Sequence, residues 1–290
     1  MLGGTRNTRQ ELELHFLKSA VVTVLVLGAI LYMALMSLLY FFQRNLQYHP
    51  DTALRSPESL GLSGISIITF KAADDETIVA WHKPALTGRP TIMYFHGNGG
   101  SVSTRPKKIA TYAASNYGLL AVSYRGYGGS TGSPSERGFL TDAEAAYVWL
   151  KSQGVSENDI LVVGESIGTG VAVQFAAKHR IRAMALEAPF ANAVDIGAAA
   201  YWYLPVRLLM HDQFRSADYI ASVKVPLWIT HGTDDQLIPF AQGQKLFSLA
   251  NDPKTFVAVQ GGTHDIIGDQ ETWKREIEFF ERVLNSPAAQ

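Results

Sequence analysis

The 290-residue chain contains no cysteine. This absence excludes a disulfide scaffold, a zinc finger, a thiolate metal site and a cysteine nucleophile, and it leaves the redox compartment open. Charged residues are also scarce, at 18% against 47% hydrophobic residues, a balance that excludes a disordered chain. The charges of the 25 basic and 26 acidic residues nearly cancel. A nucleic-acid-binding protein usually has an excess of basic residues, so this balance argues against that class.

No residue from Ala20 to Phe42 carries a charge. At about 1.5 Å per residue this stretch would form a helix of about 34 Å, longer than the roughly 30 Å hydrocarbon core of a bilayer. A core helix would show a polar face, and a cleaved signal peptide has a shorter apolar region of about 7–15 residues. We therefore expect an N-terminal tail at 1–19 and one transmembrane anchor at 20–42.

Basic residues flank this segment almost evenly. Three precede it, Arg6, Arg9 and Lys18, and two follow soon after it, Arg44 and Arg55. Because lysine and arginine are enriched on the cytoplasmic side of membrane proteins, the pattern predicts a single-pass protein with a cytoplasmic N-terminus. The large C-terminal part is then expected on the opposite side of the membrane.

After a linker at 43–64, strand-like and helix-like segments alternate. We expect a β-hairpin from 65–70 and 77–81, further strands at 91–95, 118–124, 160–163, 182–187, 226–231 and 255–260, and helices at 107–116, 141–151, 169–179 and 271–284. This alternation predicts an α/β domain over 65–285, with a mostly parallel, doubly wound, eight-stranded sheet and a short tail at 286–290. In such sheets the chemistry lies at the carboxyl ends of the strands.

The spacing Gly-x-Ser-x-Gly occurs twice, around Ser130 and around Ser166. Ser166 lies directly between an expected strand and an expected helix, where a sharp turn would project the hydroxyl from the edge of the sheet. Ser130 lies several residues beyond its strand, in a glycine-rich segment that suits a turn. We therefore predict Ser166 as a nucleophile.

A serine nucleophile needs a histidine base. Among the histidines downstream of Ser166, His264 lies in a glycine loop between the last strand and the last helix. His179 falls in an expected helix and suits the surface, His211 has no strand beside it, and His231 ends a strand, which suits a structural role. His264 is thus the predicted base.

The site also needs an acid that orients the histidine and amides that bind the oxyanion. Asp234 and Asp235 both follow the strand that ends at 231, and spacing alone does not choose between them. The expected amide donors are those of Ile167, directly after the serine, and Asn98, in the glycine loop after the strand 91–95. That loop matches neither Gly-x-Gly-x-x-Gly nor the Walker pattern, so phosphate binding is not expected.

Between the strands 182–187 and 226–231 lies an insert at about 190–224. It contains Ala198–Pro205, an apolar and aromatic run. A small lid over an acyl pocket and an ordinary connecting helix both fit this composition, and the sequence leaves the two open.

Six motifs together resemble the α/β-hydrolases, and most closely the membrane-anchored Bem46-like, ABHD13/ABHD17-like serine hydrolases. They are Phe95–Gly100, Tyr124–Gly128, Ser133–Glu136, Gly164–Gly168, Ala188–Phe190 and His231–Pro239. In that family the acid occupies the fifth position of His-Gly-x-x-Asp-x-x-Val-Pro, which is Asp235 here, with Ile238 in place of the valine. The family's histidine corresponds to His264. The resemblance covers about 65–284.

The resemblance implies a serine hydrolase that cleaves acyl esters or thioesters through an acyl-enzyme, without a metal or an organic cofactor. Its expected partners are that substrate and the lipid bilayer. ABHD17-like members remove acyl groups from protein thioesters, an activity that is not general in the subgroup. A depalmitoylase, a peptidase of the same fold and a non-catalytic membrane-bound scaffold are the alternatives. A dehalogenase is disfavoured because it would need a carboxylate in place of Ser166.

Overall fold

The computed structural model describes residues 4–286, with side chains over 10–286. Parts of the two predicted tails, 1–3 and 287–290, lie outside the described residues. The chain divides into two compact units, Met1–Leu46 and Gln47–Gln290.

A single helix, α1 (Gly4–Gln47), makes up the first unit and ends at the start of the second. Its stretch 10–47 has a mean hydropathy of 2.5 with none of the apolar window buried, and it is long and apolar enough to cross a membrane. The helix thus fits one transmembrane helix. It extends beyond the predicted 20–42 at both ends, because the chain has no proline before Pro50 to stop it. Most of the predicted tail 1–19 and the first residues of the predicted linker 43–64 are therefore helical.

The second unit contains an eight-stranded sheet with the strand order β10-β9-β8-β7-β4-β6-β3-β2. Its strands are β2 (Ser66–Lys71), β3 (Thr77–Lys83), β4 (Thr91–Phe95), β6 (Gly118–Ser123), β7 (Ile160–Glu165), β8 (Ala183–Glu187), β9 (Leu227–Gly232) and β10 (Lys254–Val259). Strand β3 pairs antiparallel with β2 and β6, and all other pairs are parallel. The predicted mixed, mostly parallel sheet of eight strands is confirmed.

Helices cover both faces of this sheet. The helices of this unit are α2 (Pro106–Ala114), α3 (Glu136–Ser152), α4 (Ile167–Ala176), α5 (Ala193–Ala200), α6 (Val206–Leu209), α7 (Phe240–Leu249) and α8 (Gln270–Asn285). Residues of α2 and α8 pack with one set of strand side chains, and residues of α3, α4 and α7 pack with the other. Because successive strand residues point to opposite faces, the buried strands supply both cores.

A short parallel pair outside the main sheet was not predicted. Strand β1 (His49–Pro50) pairs with β5 (Gly99–Gly100), and the Asp51 N–H donates to the Gly100 oxygen at 3.0 Å. Two-residue strands carry too little periodicity to be recognised in a sequence. The pair joins the segment that follows α1 to the loop that follows β4.

Candidate active site

The turn between β7 and α4 holds Ser166 in an unusual backbone conformation. Its φ is 52° and its ψ is −117°, a left-handed φ that non-glycine residues rarely adopt. The flanking glycines are required by close packing: a Cβ at Gly168 would lie 2.2 Å from the Phe95 oxygen, and one at Gly164 would lie 2.8 Å from the Gly168 oxygen. The sequence motif therefore folds into the strained strand-to-helix turn that was predicted for it.

Three of the predicted site residues form one hydrogen-bonded chain. The Ser166 hydroxyl lies 3.0 Å from His264 Nε2, and His264 Nδ1 lies 2.8 Å from Asp235 Oδ2. Asp235 follows β9 and His264 follows β10, so both reach Ser166 from the carboxyl edge of the sheet. Asp234 is exposed, and its carboxylate accepts a hydrogen bond from Thr233 at 3.1 Å. The geometry thus places Asp235, and not Asp234, against the imidazole.

Asp235 is held by a set of donors that favours its charged form. Its Oδ1 accepts hydrogen bonds from the amides of Leu237 at 2.9 Å and Ile238 at 2.8 Å. Its Oδ2 lies 3.4 Å from Nε2 of the fully buried His231. Burial alone would raise the pKa of Asp235, but the hydrogen bonds with His231, His264 and Ile238 outweigh it and lower the pKa. Asp235 therefore remains a carboxylate that can stabilise a charged imidazole.

The predicted oxyanion residues lie on the elements expected to carry them. Ile167 is the first residue of α4, where helix amides lack an intrahelical acceptor. Asn98 lies in the loop after β4, where the amide of the preceding residue, Gly97, donates to Glu165 Oε1 at 3.2 Å. A Cβ on Gly97 would lie 3.4 Å from Ser166 Cβ, so this loop runs directly past the serine.

The side chain of Asn98 fixes the same loop. Its Oδ1 accepts hydrogen bonds from the Tyr127 hydroxyl at 3.0 Å and from the His49 amide at 3.3 Å. Its Nδ2 donates to the Gln47 oxygen at 2.6 Å. Three residues from two parts of the chain, including Gln47 at which α1 ends, thereby hold one loop beside Ser166.

A buried charge cluster beneath Ser166 was missed by the sequence reasoning. Arg105 Nη2 lies 2.6 Å from Glu165 Oε1, and Lys108 Nζ lies 3.3 Å from Glu165 Oε2 and also contacts Glu187. The backbone carbonyl oxygen of Glu187 accepts a hydrogen bond from the backbone amide of Ser166 at 2.9 Å. The only signal in the sequence was a glutamate inside the serine motif. The cluster ties β7, β8 and α2 together under the nucleophile turn.

The carboxyl groups of this cluster titrate differently. Burial would raise the pKa of Glu165, but Arg105 and Lys108 lower it. Burial raises the pKa of Glu187 and of Glu276, which accepts a hydrogen bond from Tyr112 at 2.9 Å. One oxygen each of Glu187 and Glu276 is buried without a hydrogen-bond partner.

A cavity of about 460 Å³ adjoins the cluster. It is lined by Gly99, Thr104, Arg105, Pro106, Lys107, Lys108, Glu165, Ile267, Gly268 and Trp273. Ser166, Asp235 and His264 are not part of this lining, so the cavity lies beside the hydrogen-bonded chain and not at it.

The remaining sequence candidates lie elsewhere. The Ser130 hydroxyl donates to the Ser123 oxygen and accepts from the Val79 amide, each at 2.8 Å, a turn-stabilising role as predicted. His179 was expected on a helix surface, but α4 ends at Ala176, and the imidazole packs on Phe175 with a centroid distance of 4.6 Å. Over residues 10–286, no group of three or more His, Asp or Glu side chains is arranged to hold a metal ion.

Comparisons with known proteins agree with this architecture. A family model described as the alpha/beta hydrolase fold matches residues 90–219. The esterase Pf2001 of Pyrococcus furiosus superimposes with a TM-score of 0.67 at 20% identity, over 82% of this chain and 100% of that one. At that identity the likeness shows the fold alone.

Three relatives extend the comparison in sequence. The uncharacterized protein Rv2307c of Mycobacterium tuberculosis is 32% identical over 85% of this chain and 86% of its own length. Protein bem46 of Schizosaccharomyces pombe is 36% identical over 57% of this chain and 58% of its own. Lysophosphatidylserine lipase ABHD12 of Xenopus tropicalis is 29% identical over 68% of this chain and 61% of its own length. The chain therefore belongs to the α/β-hydrolases, among the proteins similar to Bem46 and the ABHD hydrolases.

Proposed function

We propose that the protein is a membrane-anchored serine hydrolase that cleaves carboxylic esters or thioesters. The observation that carries this proposal is the unbroken chain of hydrogen bonds from Asp235 through His264 to Ser166, with contacts of 2.8 and 3.0 Å. These distances lie within the range in which a base can accept the proton of a nucleophile. A non-catalytic scaffold would have no need to keep such a chain at a strained turn.

The positions of these groups support the following reaction. His264 Nε2 takes the proton from the Ser166 hydroxyl as its oxygen attacks the acyl carbonyl. The same imidazole then returns the proton to the leaving oxygen or sulfur, so an acyl-enzyme remains. A water molecule, deprotonated by His264, then attacks the acyl-enzyme. The bond between Ser166 Oγ and the acyl carbon breaks, His264 returns the proton to Oγ, and the acid is released. Asp235 stabilises the imidazolium in both halves of the reaction.

The amides of Ile167 and Asn98 serve as donors to the tetrahedral oxyanion. Both belong to segments that directly adjoin Ser166, and the N-terminus of α4 favours negative charge there. The loss of one such donor raises the barrier by about 2.7–4 kcal/mol in serine hydrolases.

The relatives and α1 support the proposed substrate class. One relative is named a lysophosphatidylserine lipase, and a solved structure of the same fold is titled a membrane phospholipase A, with a TM-score of 0.59 over 94% of this chain. Residues 20–42 of α1 serve as the membrane anchor. An acyl ester or thioester presented by a bilayer is therefore the favoured substrate, with the insert at 190–224 as a small lid. Deacylation of protein thioesters and peptide cleavage are the alternatives within the fold.

The orientation of the anchor is proposed from the flanking charges alone, with the N-terminus in the cytoplasm and the hydrolase unit on the other side. External protease applied to sealed spheroplasts should digest the hydrolase unit. Its protection until the membrane is lysed would reverse the orientation.

A fluorophosphonate probe tests the serine directly. We expect it to label the full-length protein in detergent and to leave the Ser166→Ala variant unlabelled. Ser130→Ala is the matched control, because it changes the other Gly-x-Ser-x-Gly serine and should label as the wild type does. A folded wild-type protein that the probe does not label would contradict the proposal and favour a scaffold.

A further inference from the structure

Two large apolar side chains of the 190–224 insert are almost fully exposed. Trp202, in the turn between α5 and α6, is 81% exposed, and Leu208 on α6 is 83% exposed. Tyr201 beside them is 53% exposed. Side chains in such positions gain little from the hydrophobic effect on folding. Together, Tyr201, Trp202 and Leu208 are called the aromatic surface below.

The composition around the aromatic surface indicates what covers it. No residue from Ile196 to Val206 carries a charge, so eleven consecutive positions lack the groups that keep a surface in water. The Trp202 ring meets the Tyr203 ring edge to face, with centroids 5.8 Å apart. Tryptophan and tyrosine are the residues enriched where membranes meet water, because their rings are apolar and their edges polar. This chemistry fits the headgroup region of a bilayer.

The aromatic surface also lies near the point at which the chain leaves its anchor. Gln47 follows Phe42, the last residue of the predicted anchor, by five positions, a reach of at most about 18 Å. Gln47 Nε2 donates to the backbone carbonyl oxygen of Asp212 at 3.0 Å. Asp212 follows Leu208 by four residues. The Gln47 oxygen accepts from Asn98 at 2.6 Å. Gln47 thereby joins the insert to the loop beside Ser166.

We propose that the aromatic surface docks into the headgroup region of the bilayer that holds residues 20–42. The insert then rests on the lipid, and the Ser166 site lies at the membrane surface within reach of acyl groups that remain in the bilayer. This inference rests on the membrane anchor of the proposed function and is independent of the chemistry at Ser166.

Tryptophan emission reports the docking without any need for activity. The chain has five tryptophans, and none lies in α1. Trp81, Trp228 and Trp273 are buried, and Trp149 is half-buried. The full-length protein is reconstituted in phosphatidylcholine vesicles with and without brominated phosphatidylcholine, which quenches tryptophans in contact with lipid. Wild type is compared with Trp202→Phe, and with Trp149→Phe as the matched control. Flotation with the vesicles is measured first.

We expect bromolipid to remove about one fifth of the wild-type emission, since Trp202 is one of five tryptophans. The quenching should vanish in Trp202→Phe and persist in Trp149→Phe. Emission that bromolipid leaves unchanged, with Trp202 quenched by aqueous iodide, would overturn the proposal. Shielding from both quenchers would overturn it too, because a protein or a second copy would then cover the surface. Failure to float with vesicles would remove the anchor and the docking together, whereas fluorophosphonate labelling tests the serine separately.

Discussion

Replacement of Asp235 by asparagine tests whether Asp235, and not its neighbour Asp234, orients His264. The Asn carbonyl can keep the hydrogen bonds that Oδ1 accepts from Leu237 and Ile238, at 2.9 and 2.8 Å. Its NH₂ group then takes the place of Oδ2, 2.8 Å from His264 Nδ1. An NH₂ group donates and cannot accept, so His264 must present a lone pair at Nδ1 and carry its proton on Nε2. That nitrogen faces Ser166 and can no longer take its proton.

The flipped orientation of the Asn amide would put its oxygen beside His264 Nδ1, but this flip is unfavourable. It would turn the NH₂ group towards two backbone amides and lose both hydrogen bonds, each worth about 0.5–1.5 kcal/mol. The wrong imidazole tautomer therefore dominates. In serine hydrolases such a change lowers kcat by ~10⁴, a barrier increase of about 5 kcal/mol. We expect a loss of this size for Asp235→Asn, with the protein still folded.

The assay is hydrolysis of a p-nitrophenyl ester by the full-length protein in detergent, beside thermal unfolding of each variant. Asp234→Asn is the matched control, because its exposed carboxylate contacts Thr233 and not His264. It should retain kcat within about twofold. A larger loss in Asp234→Asn than in Asp235→Asn, or a loss below tenfold in a folded Asp235→Asn, would refute the reasoning.

Three further predictions concern the fold and the substrate. Gly168→Ala places a Cβ 2.2 Å from the Phe95 oxygen, so we expect about 1–3 kcal/mol of destabilisation by denaturant unfolding and loss of fluorophosphonate labelling; unchanged labelling would contradict the packing. Raised pKa values let Glu187 and Glu276 hold a proton that the unfolded chain has released, so stability should fall as pH rises above about 4.3, by up to ~1.4 kcal/mol per unit. Glu276→Gln keeps an acceptor for Tyr112 and should flatten this slope between pH 5 and 8; an unchanged slope would show that the pair holds no such proton. Turnover should rise from acetyl to longer acyl esters, and a strict preference for acetyl would exclude a lipid substrate.

Much of the sheet could be predicted because its buried strands read as short apolar runs. Strand β4 has the expected bounds, and the ends of the other predicted strands shift by at most two residues. Helix α3 begins at Glu136 and not at 141, because the Ser135 hydroxyl caps the helix by accepting from the Gly138 amide at 3.0 Å. A cap six residues upstream of an apolar pattern is a weaker signal than the pattern itself.

The site was predictable to the extent that its residues sit in local motifs. Ser166 and His264 follow from strand-to-helix and strand-to-loop contexts, whereas Asp235 needed the family pattern, since both aspartates stand at the same strand end. The charge cluster was not predictable. Lys108 comes from α2 and its partners lie on β7 and β8, while Glu276 comes from α8 and bonds with Tyr112 of α2. Nothing in the spacing of such residues shows that they converge, because tertiary packing alone brings them together.

The pairing of His49–Pro50 with Gly99–Gly100 moves the N-terminal boundary of the hydrolase unit upstream, to Gln47. The family model starts at 90 and the expected domain at 65, yet the Asn98 side chain is bound by Gln47 and His49. A version cut at 65 would retain the sheet and all three residues of the hydrogen-bonded chain, whereas one cut at 90 would also lose β2 and β3. Both would lose the peptide that holds the loop beside Ser166. A cut that removes α1 should therefore fall before Gln47, because Gln47 and His49 hold the loop beside Ser166 through Asn98.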